Sequence, residues 1–341
     1  MRRLEELSDK TFWEQLGELK IDKDMNVQSY IVLKGISILK DKLQKSEQIY
    51  SARKKELIED ICRFSREKDL NNAKKNLQEI REALIVNGYS VKICKIKSSS
   101  RTLIGASELF GKNPFEVGLS FDPILNVPLI PSSTLKGAFR YALMDLVGRE
   151  EGEGVAKEVA DIIFGSKDWS GLAGVTDAYP VKAGINGLLD PDVITPHYPG
   201  AETEFDVKPN PVQFLTVARG VEYEFYIYFN KNIYWREYEW AKSQGKQPKR
   251  KFAKVDTVDI ENLIHLKPTG DAGDQVKNVV GKAFFNGDLA EALRKLESMG
   301  LDIAKIIPWV DRAVLYAFAR GVGAKTSLGY SRFEVLEYRP V

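Results

Sequence analysis

The run Gly321-Val322-Gly323-Ala324-Lys325-Thr326-Ser327-Leu328-Gly329-Tyr330 has the residue types that hold an anion. Its glycines let backbone N–H groups come close, and Lys325, Thr326 and Ser327 add contacts of their own. A second run, Ile130-Pro131-Ser132-Ser133-Thr134-Leu135-Lys136-Gly137-Ala138-Phe139-Arg140, reads as a helix start. Its free N–H groups and positive dipole end suit the same charge, with Lys136 and Arg140 four apart on one face. Neither run is a nucleotide motif. Ala324 stands where Walker A needs glycine, and Thr326 where the dinucleotide fingerprint needs its third glycine. By residue type, the glycine run is either a phosphate loop or a tight helix-to-strand turn. The second run is either an anion site or a helix capped by Ser132, Ser133 or Thr134, its Lys and Arg merely solvated.

Acid–base chemistry has few candidates, because the chain holds only two histidines, His197 and His265. His197 reads as a packing or base-stacking residue and His265 as a structural one. Asp122, in Ser120-Phe121-Asp122-Pro123, is a turn signal before it is a positioned acid for metal-assisted cleavage. Cys62 and Cys94 form no CxxC, which argues against a disulfide scaffold and a thiolate zinc site. No metal site or cofactor motif is legible. Lys242, Lys246, Lys249, Arg250, Lys251 and Lys254 put six basic residues into thirteen positions near Tyr234, Trp235, Tyr238 and Trp240. That mixture fits a solvated loop, a surface that stacks and tracks single-stranded RNA, or a protein interface anchored by Trp235 and Trp240.

The chain that positions these residues has 341 of them, 43% hydrophobic and 29% charged, so it can bury a full core and is neither disordered nor fibrous. Fifty Lys+Arg against 48 Asp+Glu leave a net charge of +2, so any nucleic-acid surface must be local. The start turns acidic at Glu5 and Glu6, and no run approaches the roughly 18 apolar residues of a membrane span. A soluble, cytoplasmic protein with no membrane contact is expected.

From Gln28 to Asn87 apolar residues recur at three- and four-residue steps without proline, which predicts helices ended by Asn87-Gly88. Residues 1–88 are therefore expected to form a helical extension and 89–341 a mixed domain. Strands are predicted at Lys92–Ile104, Gly174–Pro180, Val212–Phe229 and Tyr330–Tyr338, and helices at Thr134–Val147, Gly154–Phe164 and Pro308–Ala319. The connection Val181–Pro211, about thirty residues rich in Gly, Pro and Asp, is long enough to suggest a functional insert.

Together the serine-rich helix start and the terminal Gly-Val-Gly-Ala-Lys-Thr-Ser-Leu-Gly-Tyr-Ser-Arg-Phe resemble the RAMP superfamily of CRISPR proteins. Gly111-Lys112-Asn113-Pro114-Phe115-Glu116-Val117-Gly118-Leu119, Thr195-Pro196-His197-Tyr198 and Asn210–Val217 look like the sixth-subunit family of type III-B (Cmr) complexes. The resemblance runs from about Ile104 to Phe333. Ser132 and Ser331 replace glycines usual in the family.

The resemblance implies an α+β fold with a ferredoxin-like (RRM-type) β-α-β-β-α-β core, and a thumb-like insertion at residues 181–211. Ser132, Ser133, Lys136, Arg140, Gly321, Gly323, Lys325, Thr326 and Ser327 would then face one guide-RNA phosphate track without reading bases, with His197, Lys249 and Arg250 as further RNA contacts. It also implies a non-catalytic cap at the guide 3′ end. Its partners would be guide RNA, target RNA, the backbone RAMP subunit, the small helical subunit and another RAMP subunit. Two alternatives stay open: a RAMP endoribonuclease that processes guides or cuts targets through Asp122, and a purely scaffolding protein.

Overall fold

Apolar periodicity in the N-terminal stretch becomes three helices, α1 (Val27–Gln44), α2 (Glu47–Cys62) and α3 (Glu67–Val86). The computed structural model describes residues 20–21, 25–44, 47–62, 67–166, 171, 173–194, 211–229 and 309–341. Helix α3 stops where predicted. Gly88 takes φ 79°, its N–H reaches the Ile85 carbonyl at 3.0 Å, and the Tyr89 N–H reaches Leu84 at 3.1 Å.

Strand β1 (Ser90–Ser98) follows, then the short hairpin β2 (Phe121–Asp122) and β3 (Val127–Pro128). Helices α4 (Ser132–Glu151) and α5 (Glu153–Phe164) lead to β4 (Ala173–Val175), β5 (Tyr179–Lys182) and β6 (Leu189–Ile194). The chain continues with β7 (Val212–Val217) and β8 (Glu222–Phe229), and the described residues end with α6 (Trp309–Arg320) and β9 (Phe333–Pro340). The mixture of helix and sheet is the α+β class expected.

The main sheet is antiparallel in the order β4-β8-β1-β9, with β5 also paired to β8. One face carries Cys94, Ile96, Phe225 and Ile227 under α4 and α6, where Phe318 meets Phe139 at 5.5 Å, Phe225 at 6.0 Å and Phe333 at 5.8 Å between ring centroids. Each ring removes a large apolar area from water, so this cluster carries much of the packing energy. The alternate residues Val91, Ile93 and Tyr226 are just as buried, because α3 lies across the other face. The N-terminal helices thus share the hydrophobic core with the sheet.

Asn126 fastens them. In the β2–β3 turn it takes φ 60°, its Oδ1 accepts the Val27 N–H at 2.8 Å, and its Nδ2 donates to Asp69 at 2.9 Å.

The strand expected over Lys92–Ile104 leaves the sheet at Ser98, whose Oγ donates to the Ala218 carbonyl at 2.9 Å and accepts the Val221 N–H at 3.0 Å. A serine hydroxyl that bonds backbone competes with the ladder, and the chain turns there. The strand expected over Gly174–Pro180 is broken at Thr176-Asp177, where the Thr176 hydroxyl accepts the Tyr226 N–H at 2.9 Å. Val212–Val217 does not join the core sheet as expected. It pairs with β6 in a separate two-stranded ribbon, so the long connection after Val181 contains a strand. Alternation in sequence shows that a strand has two faces; it does not name the partner.

Candidate nucleic-acid interface

Helix α4 begins one residue after Pro131, and no serine or threonine side chain caps it. The capping reading of Ser132, Ser133 and Thr134 is corrected here. All three are helical, and the Ser132 N–H is met at 2.5 Å by the Asp177 carboxylate, which the Ile130–Ala178 bridge brings to the helix start. Thr134 and Leu135 turn their N–H groups back to the Pro131 carbonyl. The helix end is therefore already partly neutralised, while exposed Ser133 keeps its hydroxyl and N–H without a partner among the described residues.

Lys136 and Arg140 share a face and differ in state. Lys136 is half-buried with no acid or acceptor beside it among the described residues, and desolvation lowers the pKa of its ammonium. A desolvated cation without a counter-ion gains by meeting an anion. Arg140 instead forms an ion pair with Asp161 of α5 and donates to the Met144 sulfur at 3.1 Å. Arg140 was expected on a phosphate track; in the structure its guanidinium is engaged by an acid that sequence spacing does not reveal.

In the glycine loop, Lys325 takes φ 57° and starts a single 3-10 turn, Thr326–Leu328. The Leu328 and Tyr330 N–H groups return to the Lys325 carbonyl, yet those of Lys325, Thr326 and Ser327 meet no acceptor among the described residues. Three successive N–H groups without an acceptor among the described residues, the first on the left-handed Lys325, have the donor pattern of a backbone nest.

Gly321 and Gly323 have a packing task as well. A Cβ on Gly323 would stand 2.8 Å from the Leu103 carbonyl oxygen and 2.7 Å from Ser331 Oγ, and one on Gly321 would stand 3.0 Å from the Ser331 carbonyl oxygen. They let the chain pack on itself.

Sequence reasoning missed Arg332. Its guanidinium donates to the carbonyls of Ala319, Arg320 and Thr326 at 3.0, 2.7 and 3.1 Å, tying the end of α6 to the loop. Ser331 was noted as a replaced glycine. It holds φ 56°, fully buried, and its hydroxyl accepts the Leu103 N–H at 3.1 Å. Gly137 was also missed. It sits inside α4 beside Lys136 with nothing near the place of its Cβ, leaving bare helix surface at a cost in helix propensity.

A hydrogen-bonded path leads from the loop to the helix start: Ala324 N–H to Leu103, Ser120 N–H to Ile104, Leu129 N–H to Ser120, and Ile130 N–H to Ala178.

Asp122 lies in the turn that its Asp-Pro signal announced. Oδ1 accepts the N–H groups of Ile124 and Leu125 at 2.8 and 2.9 Å, and Oδ2 accepts the Tyr179 hydroxyl at 3.0 Å. Desolvation first, then Asp122, raises the pKa of that hydroxyl. Among the described residues no three His, Cys, Asp or Glu side chains gather as metal ligands, and no helix is long and apolar enough to cross a membrane. His197, Lys249 and Arg250, with the rest of the Lys242–Lys254 run and His265, lie outside the described residues.

The sequence profile of the RAMP superfamily matches residues 95–334, most of the chain and both motifs. This chain belongs to the RAMP superfamily. Among RAMP relatives, it is 37% identical over 199 residues to the CRISPR system CMR subunit Cmr6 of Saccharolobus solfataricus, covering 58% of this chain and 66% of that one, just under two thirds.

In fold it is similar to a chain in the cryo-EM structure of the type III-B Cmr-beta complex bound to cognate target RNA. The TM-score there is 0.60 at 25% identity, over 97% of this RAMP chain and 99% of the other. The crystal structure of Cmr6 from Pyrococcus furiosus matches with TM-score 0.33 at 16% identity, over 74% of this chain and 100% of that one. The resemblance seen in the two motifs is thus a family relationship.

Proposed function

We propose that this RAMP protein is a non-catalytic, RNA-binding subunit of a type III-B CRISPR RNA-targeting complex. It caps the guide 3′ end of the filament, beside the backbone RAMP subunit, the small helical subunit and another RAMP subunit. The observation that carries this reading is the similarity over nearly the whole length to a chain of a Cmr complex bound to target RNA.

The geometry supports it. N–H groups at Lys325–Ser327 and a Lys136 ammonium, all without partners among the described residues, suit a phosphodiester backbone and ignore base identity, as a protein that carries many guides requires. The sheet order β4-β8-β1-β9, with α4 after β1 and α6 after β8, supports the ferredoxin-like core. The ribbon β6–β7 supports a thumb in the insert. With α3 over the sheet face, RNA would run along the loop and helix start instead of across the strands.

The double charge reversal Lys136→Glu with Lys325→Glu tests the reading in the intact complex. Guide-RNA affinity should fall about tenfold or more and lose part of its salt dependence. Unchanged RNA retention would leave a scaffolding protein.

The non-catalytic assignment has its own test. Asp122→Asn keeps a carbonyl for the Ile124 and Leu125 N–H groups and turns its NH2 toward the Tyr179 hydroxyl, which can accept from it, so target-RNA cleavage by the complex should stay within about twofold of wild type. A loss of a hundredfold or more would make Asp122 a catalytic acid.

A further inference from the structure

The ribbon β6–β7 and the glycine loop are built on the two sides of one extended segment, residues 101–104. Toward the ribbon, Thr102 exchanges both backbone bonds with Val217, at 3.0 and 2.9 Å. Toward the loop, the Leu103 carbonyl accepts the Ala324 N–H at 2.8 Å and the Arg101 carbonyl accepts the Ser331 N–H at 2.9 Å. The ribbon meets the segment through one bridged residue pair, while Phe214 and Leu215 of β7 are buried in the core.

Side chains add a second tie between the ribbon and the loop. Tyr330 has its backbone in the loop, where its N–H meets the Lys325 carbonyl at 3.3 Å, and its hydroxyl on the ribbon, donating to Asp192 Oδ2 at 2.6 Å. Arg101 reaches the same strand, with Nε 3.5 Å from Asp190 and Nη1 3.4 Å from Asp192. Asp190 is held in turn, because the buried Thr216 hydroxyl donates to its carbonyl at 3.0 Å. Two carboxylates share one guanidinium that is 46% exposed, so these ion pairs add less to the clasp than the Tyr330 hydrogen bond.

We propose that Tyr330, Arg101, Asp190 and Asp192 form a clasp that sets the ribbon relative to the glycine loop, and that RNA held at Lys325–Ser327 tightens it. They are positioning residues. They let one RNA strand be met at the loop and at the ribbon with constant spacing. The RNA-dependent half rests on the function proposed above; the clasp itself does not.

Hydrogen exchange of the β6 and β7 amides, measured on the whole chain with and without a single-stranded RNA oligonucleotide, tests it. Without RNA, Tyr330→Phe should speed ribbon exchange about tenfold, the effect of one charge-assisted hydrogen bond, with no change in the exchange of β1 and β8. With RNA, ribbon exchange should slow further in the wild type and stay fast in Tyr330→Phe. The variant should bind the oligonucleotide within about threefold of wild type, since the hydroxyl lies outside the nest. Asp192→Asn, whose one oxygen can accept from Tyr330 only by giving up the Val193 N–H, and which loses charge against Arg101, should fall between the two. Equal ribbon exchange in Tyr330→Phe and wild type without RNA overturns the clasp. Equal slowing by RNA in both overturns the coupling. Failure of the wild type to bind the oligonucleotide overturns the RNA reading, and the RNA-free comparison still decides the clasp.

Discussion

Asp311→Ala should destabilise the protein by about 3–5 kcal/mol, the penalty for stranding a buried charge by removing its partner. Asp311, at the start of α6, pairs with Lys92 of β1, which is 2% exposed, and accepts the Tyr338 hydroxyl of β9 at 2.5 Å. The Lys92 ammonium also lies 5.0 Å from the centre of the Tyr338 ring. One carboxylate therefore joins a helix to the central and an edge strand, and its loss strands an ammonium in a protein interior. Thermal unfolding should fall by about 4–7 °C at this chain length. The paired replacement Lys92→Met with Asp311→Leu should recover part of that loss, since apolar residues of similar size often replace a buried ion pair without cost while the Tyr338 hydroxyl still loses its acceptor. If Asp311→Ala melts with the wild type, this pair contributes little to the fold.

Gly323→Ala should abolish most RNA binding while α4 and its Lys136 stay in place. Gly323 has φ 136°, where an L side chain is strained, and the new methyl would stand 2.8 Å from the Leu103 carbonyl and 2.9 Å from Ile104 Cγ1. Backbone strain of about 1–3 kcal/mol adds to overpacking against a carbonyl that already accepts the Ala324 N–H. The cheapest relief is to move the loop away from residues 103–104, which scatters the N–H groups of Lys325, Thr326 and Ser327. Losing one charge-assisted contact costs about tenfold in affinity, and losing two about a hundredfold. Titration of RNA into Gly323→Ala, beside Gly154→Ala where a Cβ meets open space, checks this. Wild-type affinity in Gly323→Ala would remove the nest from the RNA path.

Two short motifs were enough to reach the family, because their residue order reflects local backbone needs. A glycine is required where no Cβ fits, and Lys325-Thr326-Ser327 stand where the chain exposes three N–H groups. The helices of residues 27–86, the stop at Asn87-Gly88, α4, α6 and the turn at Asp122 were legible for the same reason: each depends on neighbours within a few residues. Arg140 and Lys136 looked alike in sequence and differ in the fold, since Asp161 comes from the next helix. Arg332 gave no signal, because its acceptors are backbone carbonyls that any sequence supplies.

What the sequence determined by itself is therefore local: where helices begin and end, where the chain needs glycine, and which pair of motifs marks a RAMP protein. Tertiary structure alone decided the rest. It put Asp177 on the α4 start, took Val212–Val217 out of the main sheet to pair with β6, laid α3 across the strands, and closed the loop against the ribbon through Tyr330 and Asp192. Each of these is a contact between residues far apart in the chain. Hydrogen bonds and charges choose partners by distance in space, and periodicity along a sequence carries no record of that distance.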